Sequence, residues 1–75
     1  MTKNTYELAV NDVITTYGVS LRLTERREYA NCVAFSTEYV SGEFDEMGMY
    51  GRDMRNGKWV VQGNQYATWS VGGEA

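Results

Sequence analysis

Along the final third of the chain, apolar and polar positions alternate with a period of two, broken by two turn dipeptides, Asn56-Gly57 and Gly63-Asn64. Period-two alternation places successive side chains on opposite faces of a strand. Asn-Gly is the strongest short signal for a type I′ hairpin, and Gly-Asn is a weaker one. The pattern predicts a three-stranded antiparallel meander over residues 49–71. Met54 would then lie opposite Trp59, Arg52 opposite Val61, Val61 opposite Tyr66 and Trp59 opposite Thr68. One face carries Tyr50, Met54, Trp59, Val61 and Tyr66. The other carries Asp53, Arg55, Lys58, Val60, Gln62, Ala67, Trp69 and Val71.

The first third reads differently. Tyr6, Ala9, Val10, Val13, Ile14 and Tyr17 recur at helical spacing. Asn4 with Glu7 has the form of a capping box. Gly18 stands where a helix takes a left-handed residue. A helix over residues 5–17 follows, with Leu8 on its polar side as the misfit. Val19, Leu21 and Leu23 alternate as a short strand or an extended link.

The middle is two-sided. Thr24 as a cap and the run Glu25, Arg26, Arg27, Glu28 favour a helix over 24–38. Val33, Phe35, Thr37 and Tyr39 alternate and are strand formers. The helix is the preferred reading, apolar along Tyr29, Ala30, Val33 and Val40 and again along Cys32, Phe35 and Tyr39. Ser41-Gly42 ends it, the acidic run Glu43-Phe44-Asp45-Glu46 follows, and residues 72–75 read as a frayed tail. The expected fold is α+β: a single domain over 1–75, two helices packed on the three-stranded meander.

Composition removes much chemistry. The 75 residues contain no histidine and one cysteine, Cys32. Without histidine the chain lacks the commonest general base, zinc ligand and activator of nucleophiles. Cys32 sits among apolar residues, which raise rather than lower a thiol pKa. Glu43, Asp45 and Glu46 lack the spacing and glycine of an EF-hand loop. Gly48-x-x-Gly51 is too short for a dinucleotide fingerprint, and no Gly-Lys-Ser/Thr occurs. No catalytic residue, metal site or cofactor is expected, and the chain is read as a non-enzyme.

Charge and cysteine usage bound the setting. The formal net charge is −3 and the pI about 4.7. That balance disfavours sequence-independent binding to a phosphate backbone, and is too weak for wholesale mimicry of DNA. A lone cysteine suits a reducing compartment. There is no signal-like segment and no apolar run near the ~20 residues of a membrane span. A soluble cytoplasmic protein is the expectation, in the host cytoplasm if phage-encoded.

Four surfaces remain as binding candidates. The first centres on Trp69, with Val60 and Val71 as apolar neighbours and Arg55 and Lys58 as cations, the composition of a protein-binding hot spot. The second is the basic tip formed by Arg52, Arg55 and Lys58 with Tyr50 and Trp59, suited to single-stranded nucleic acid. The third is the acidic cluster Glu43, Asp45 and Glu46 with Glu38, which would speed association with a basic groove. The fourth is Phe35 with Tyr39, a seam for self-association into a homodimer. Small acidic domains without catalytic residues are a common form for inhibitors made by phages and mobile elements, of the anti-CRISPR and anti-restriction type. The sequence therefore points to a protein-binding module, one that blocks a nucleic-acid-handling host protein through Trp69 and the acidic cluster. Its alternatives are a small nucleic-acid-binding regulator using the basic tip, and an oligomeric structural or assembly protein.

Overall fold

A computed structural model of the chain describes residues 1–42 and 49–72, with the side chains of 49–51 excepted. Six strands form one antiparallel sheet: β1 (Thr2–Asn4), β2 (Val13–Thr16), β3 (Val19–Glu28), β4 (Val33–Gly42), β5 (Val60–Gly63) and β6 (Thr68–Val71). Their spatial order is β1-β6-β2-β3-β4-β5. The helical elements among the described residues are a 3-10 turn at Thr5–Glu7 and a seven-residue helix, α1 (Met49–Arg55). This overturns the expected pair of helices on a three-stranded meander.

The capping box at Asn4 is real. Its carboxamide oxygen accepts from the Tyr6 and Glu7 amides at 2.9 and 3.0 Å, and the Glu7 carboxylate accepts from the Asn4 amide at 2.9 Å. It nucleates one turn only, because Leu8 is extended (φ −70, ψ 152) and Asn11 turns the chain at φ 81. Val13–Thr16 is then a run of four β-branched residues, which are stiff at χ1 and pack best on a pleated surface. The helical spacing was a coincidence of positions. Leu8, its misfit, is buried (3% exposed), whereas Tyr6, Val10 and Tyr17 on its supposed apolar face are exposed.

Residues 24–38 are the two arms of a hairpin, not a helix. Thr24 lies at a register shift between Leu23 and Glu25, a bulge instead of a cap. The turn between the arms is closed by the Tyr29 amide donating to the Cys32 carbonyl at 2.9 Å. The charges that suggested a helix pair along the strand instead. Arg27 reaches Glu25 at 3.1 Å, and Arg26 pairs with Glu28, each two residues apart and so on one face.

The expected meander over 49–71 is likewise replaced. Asn56-Gly57 closes α1 instead of a hairpin. The Lys58 amide donates to the Asp53 carbonyl at 2.8 Å, the Gly57 amide to Met54 at 3.4 Å, and Gly57 has φ +76. This is a Schellman cap, which needs a left-handed residue at that point. Gly63-Asn64 does not join β5 to a neighbour. The chain turns over 64–67, with the Ala67 amide on the Asn64 carbonyl at 3.2 Å, and β6 inserts between β1 and β2.

The inward face and α1 supply one core: Leu8, Ile14, Val19, Leu21, Leu23, Val33, Phe35, Met54 and Val61. Tyr39, Trp59, Trp69 and Val71 pack against it. The sheet curls until its two edges approach, with Gly63 at the end of β5 lying against Thr5 just after β1. Among the described residues no helix is long and apolar enough to cross a membrane.

Candidate binding surface

The link from β2 to β3 is the two-residue turn Tyr17-Gly18, with φ of +54 and +78. Two left-handed residues in a tight hairpin make a type I′ turn, whose first position favours Asn, Asp or Gly. A left-handed bulky residue is unusual and costs about 1–2 kcal/mol. Asn11, also left-handed, is of a type that tolerates this region, so it raises no such question. Tyr17 is 59% exposed.

The Tyr17 ring stands edge-on to Trp59, with centroids 6.2 Å apart and planes at 89°. Trp59 is placed by the Schellman cap just before it and by its carbonyl, which accepts from the buried Thr37 hydroxyl at 2.7 Å. Tyr39, two residues further along β4, donates its hydroxyl to the Gly42 carbonyl at 2.7 Å. The Arg55 guanidinium, at the end of α1, lies 5.1 Å from the Tyr39 ring centroid, within cation–π range. The β2–β3 turn, the C-terminal half of β4, the end of α1 and the link to β5 thus bring together Tyr17, Tyr39, Trp59 and Arg55. Among the described residues, no group of His, Cys, Asp and Glu is placed to hold a metal ion.

The cations sort themselves by location. Of the seven Lys and Arg, Lys3 pairs with Asp12 at 3.2 Å, Arg22 with Glu38 at 2.9 Å, Arg27 with Glu25 at 3.1 Å, and Arg26 with Glu28. Arg52, Arg55 and Lys58 all come from the α1 segment, where Arg55 is also engaged. Arg52 is one turn before Arg55 and so shares its side of the helix. Among the described residues no ion pair reaches Arg52 or Lys58.

The residues singled out from sequence fall in different places. Trp69 faces inward: it packs on the core, and its Nε1 donates to the Thr5 hydroxyl at 2.9 Å. Val71 packs on the core too, opposite Ile14. Val60 is exposed, on a strand that does not pair with β6. The Trp69-centred hot spot is therefore not assembled. Phe35 is fully buried with the Arg26 guanidinium 6.0 Å above its ring, which removes it from any self-association seam. Tyr39 shares its inward face but belongs to the Arg55 contact. Glu43, Asp45 and Glu46 lie outside the described residues, and Glu38 is paired with Arg22. Arg55 and Lys58 do stay near Trp59, as the basic-tip reading had it, on a helix end instead of a hairpin.

Tyr17 was missed because it completed the false helical spacing. The signal was present: Thr16 and Val19 are β-branched, and Tyr17-Gly18 between them reads as a hairpin turn once 13–16 is taken as strand. No family model, no curated protein and no solved structure matches the chain.

Proposed function

We propose that this chain is a non-catalytic protein-binding module whose partner sits on the Tyr17–Trp59 end of the sheet. The observation that supports it is Tyr17, exposed at 59% while its backbone is held left-handed at φ +54. Its edge contact with Trp59 is worth about 0.5–1.5 kcal/mol, no more than the backbone cost. Asparagine would serve the turn better, so the fold alone gives no reason for a tyrosine there. Strain of this kind concentrates at ligand contacts. Tyr, Trp and Arg are also the residue types enriched at binding hot spots.

Small size, net negative charge and the lack of histidine suit an inhibitor of the kind phages and mobile elements make, acting in the host cytoplasm. We carry that role forward as the form such a module takes. Its docking face is the Tyr17 end in place of Trp69.

The test is affinity capture from a nuclease-treated bacterial lysate on three baits: the natural chain, Tyr17→Asn, and Tyr66→Ser. Tyr66 is 81% exposed, on the 64–67 turn outside the Tyr17 cluster, and serves as the control. The expected result is a stoichiometric protein held by the natural chain and Tyr66→Ser, and lost on Tyr17→Asn. Equal capture by all three, or capture that vanishes with nuclease, overturns the reading.

A further inference from the structure

We infer that the outer edge of β3 at residues 24–28 pairs with the same edge of a second copy of this chain, antiparallel about a two-fold axis at Arg27. The inference stands apart from the Tyr17 reading. β3 is interior in the strand order, but only along its first half. It runs from Val19 to Glu28, and β2 supplies register partners for residues 19–22 alone. Leu23 is held next, its amide donating to the Asp12 carbonyl at 2.9 Å and its carbonyl accepting from the Asn11 amide at 2.7 Å. Past Leu23 no described strand lies on that side, while β4 continues on the other with β5 beyond it. At this end the sheet is β3-β4-β5, with β3 as its edge. Backbone groups of an antiparallel strand point alternately to its two sides. The Tyr29 amide points at β4, where it donates to the Cys32 carbonyl. Arg27 and Glu25 share that direction, so the N–H and C=O groups of Arg26 and Glu28 point away from β4. Groups so placed, unpaired among the described residues, are a template for strand addition.

The charges select the second copy. Charge guards an edge when like signs meet across it. Here Glu25, Arg26, Arg27 and Glu28 sum to zero, and they are already paired along the strand. Arg26 and Glu28 sit two apart with opposite signs. An antiparallel copy centred on Arg27 therefore sets Arg26 against Glu28 of the second copy, and Glu28 against its Arg26. Both pairs lie on the face that Phe35 and Val33 share. The four side chains then alternate in sign around a square, so each keeps its own partner and gains one. These same two positions point their N–H and C=O groups outward, so each facing pair also exchanges two backbone bonds. On the other face Arg27 meets its copy, but each is bonded to its own Glu25 at 3.1 Å and to the Ser36 hydroxyl at 3.0 Å. Glu25 there faces Tyr29 of the second copy, which is 55% exposed. An axis at Arg26 would set Arg26 against itself and draw on Thr24, which lies at the bulge. Across the Arg27 axis, β5-β4-β3 of one copy continues into β3-β4-β5 of the other. Tyr17 lies beyond the far end of β3, on the order of 30 Å from the axis, so both Tyr17 turns stay clear.

The test combines sedimentation velocity with amide hydrogen exchange, both from about 10 μM to about 1 mM, the range a short and transient interface requires. The expected result is a sedimentation coefficient that rises with concentration and less steeply with added salt. The Arg26 and Glu28 amides should gain protection in step with it, while the Arg27 amide, which faces β4, is protected throughout. Glu28→Pro removes an amide that has no bond within the chain, at an outward edge position that accepts proline. Its Tm should match that of the natural chain, and its association should be at least about tenfold weaker, the loss of paired backbone bonds across the axis. Should Glu28→Pro fail to fold, exchange at Arg26 and Glu28 in the natural chain decides alone. A natural chain that stays monomeric at the highest concentration overturns the inference. So does association in which those two amides exchange freely, or association of folded Glu28→Pro equal to that of the natural chain. Protection of the two amides only on adding a different protein, with the chain alone monomeric, gives the edge to that protein and overturns the second copy.

Discussion

Gly63 lies against Thr5: a Cβ built on Gly63 would stand 2.7 Å from the Thr5 Oγ1 and 2.9 Å from the Ala67 Cβ. Here the end of β5 meets the start of the 3-10 turn. Gly63→Ala should cost about 1–3 kcal/mol, the usual range for overpacking a tight site. Urea denaturation measures it. A cost below the error of the fit would mean that the two edges do not abut.

The Thr5 hydroxyl is also the acceptor for Trp69 Nε1–H at 2.9 Å, while it donates to the Ala67 carbonyl at 3.4 Å. Thr5→Val keeps the shape and strands the indole donor. The expected loss is about 1–3 kcal/mol, the penalty for an unsatisfied buried polar group. Because Gly63 touches the same oxygen, the double variant with Gly63→Ala should be non-additive. Additive losses would place the two effects at independent sites.

Tyr17→Asn should stabilise the protein while weakening its binding. Relief of the left-handed tyrosine is worth about 0.5 kcal/mol after the ring contact is lost. For a domain of this size that is a rise in Tm of about 2–4 °C. Thermal unfolding followed by circular dichroism reads it directly. A fall in Tm would show that the ring contact outweighs the strain, and would take away the reason for assigning Tyr17 a function.

Gly57→Ala tests the end of α1 in isolation. A Cβ there meets nothing nearer than the Thr37 carbonyl at 3.6 Å, so its cost is conformational alone, at φ +76. The expected destabilisation is about 1–2 kcal/mol, with Gly57→Asn costing less.

Phe35→Ala should remove a large share of the stability. The ring is fully buried at the centre of the core. Truncations of this kind cost about 3–5 kcal/mol, against a total of about 4–11 kcal/mol for a chain of this length. Urea denaturation measures it, and a loss under about 1 kcal/mol would place the ring outside the core.

The sequence carried the strands more clearly than the weight placed on it. Leu21 and Leu23, then Val33, Phe35 and Thr37, alternate as the two inward-facing rows of β3 and β4. The run 25–28 looked helical because strand and helix both accept Glu and Arg, and only the pairing at two-residue spacing distinguishes them. Asn56-Gly57 was a true turn signal with two solutions, since a left-handed glycine closes a helix as well as a hairpin. What no local pattern holds is the return of β6 to a place between β1 and β2, which is a matter of distant packing. The same division runs through the site. Arg52, Arg55, Lys58 and Trp59 are neighbours in sequence and were legible. Tyr17 and Tyr39 join them only through the fold.

β1 has β6 as its sheet neighbour, and β6 is the last strand among the described residues. Thr2 therefore waits for Ser70, its register partner, before it has a strand beside it. The hairpin of β3 and β4 can form early, yet the sheet stays open at β2 until residue 71 is available. Until β6 has been made, β1 is a strand without a neighbour.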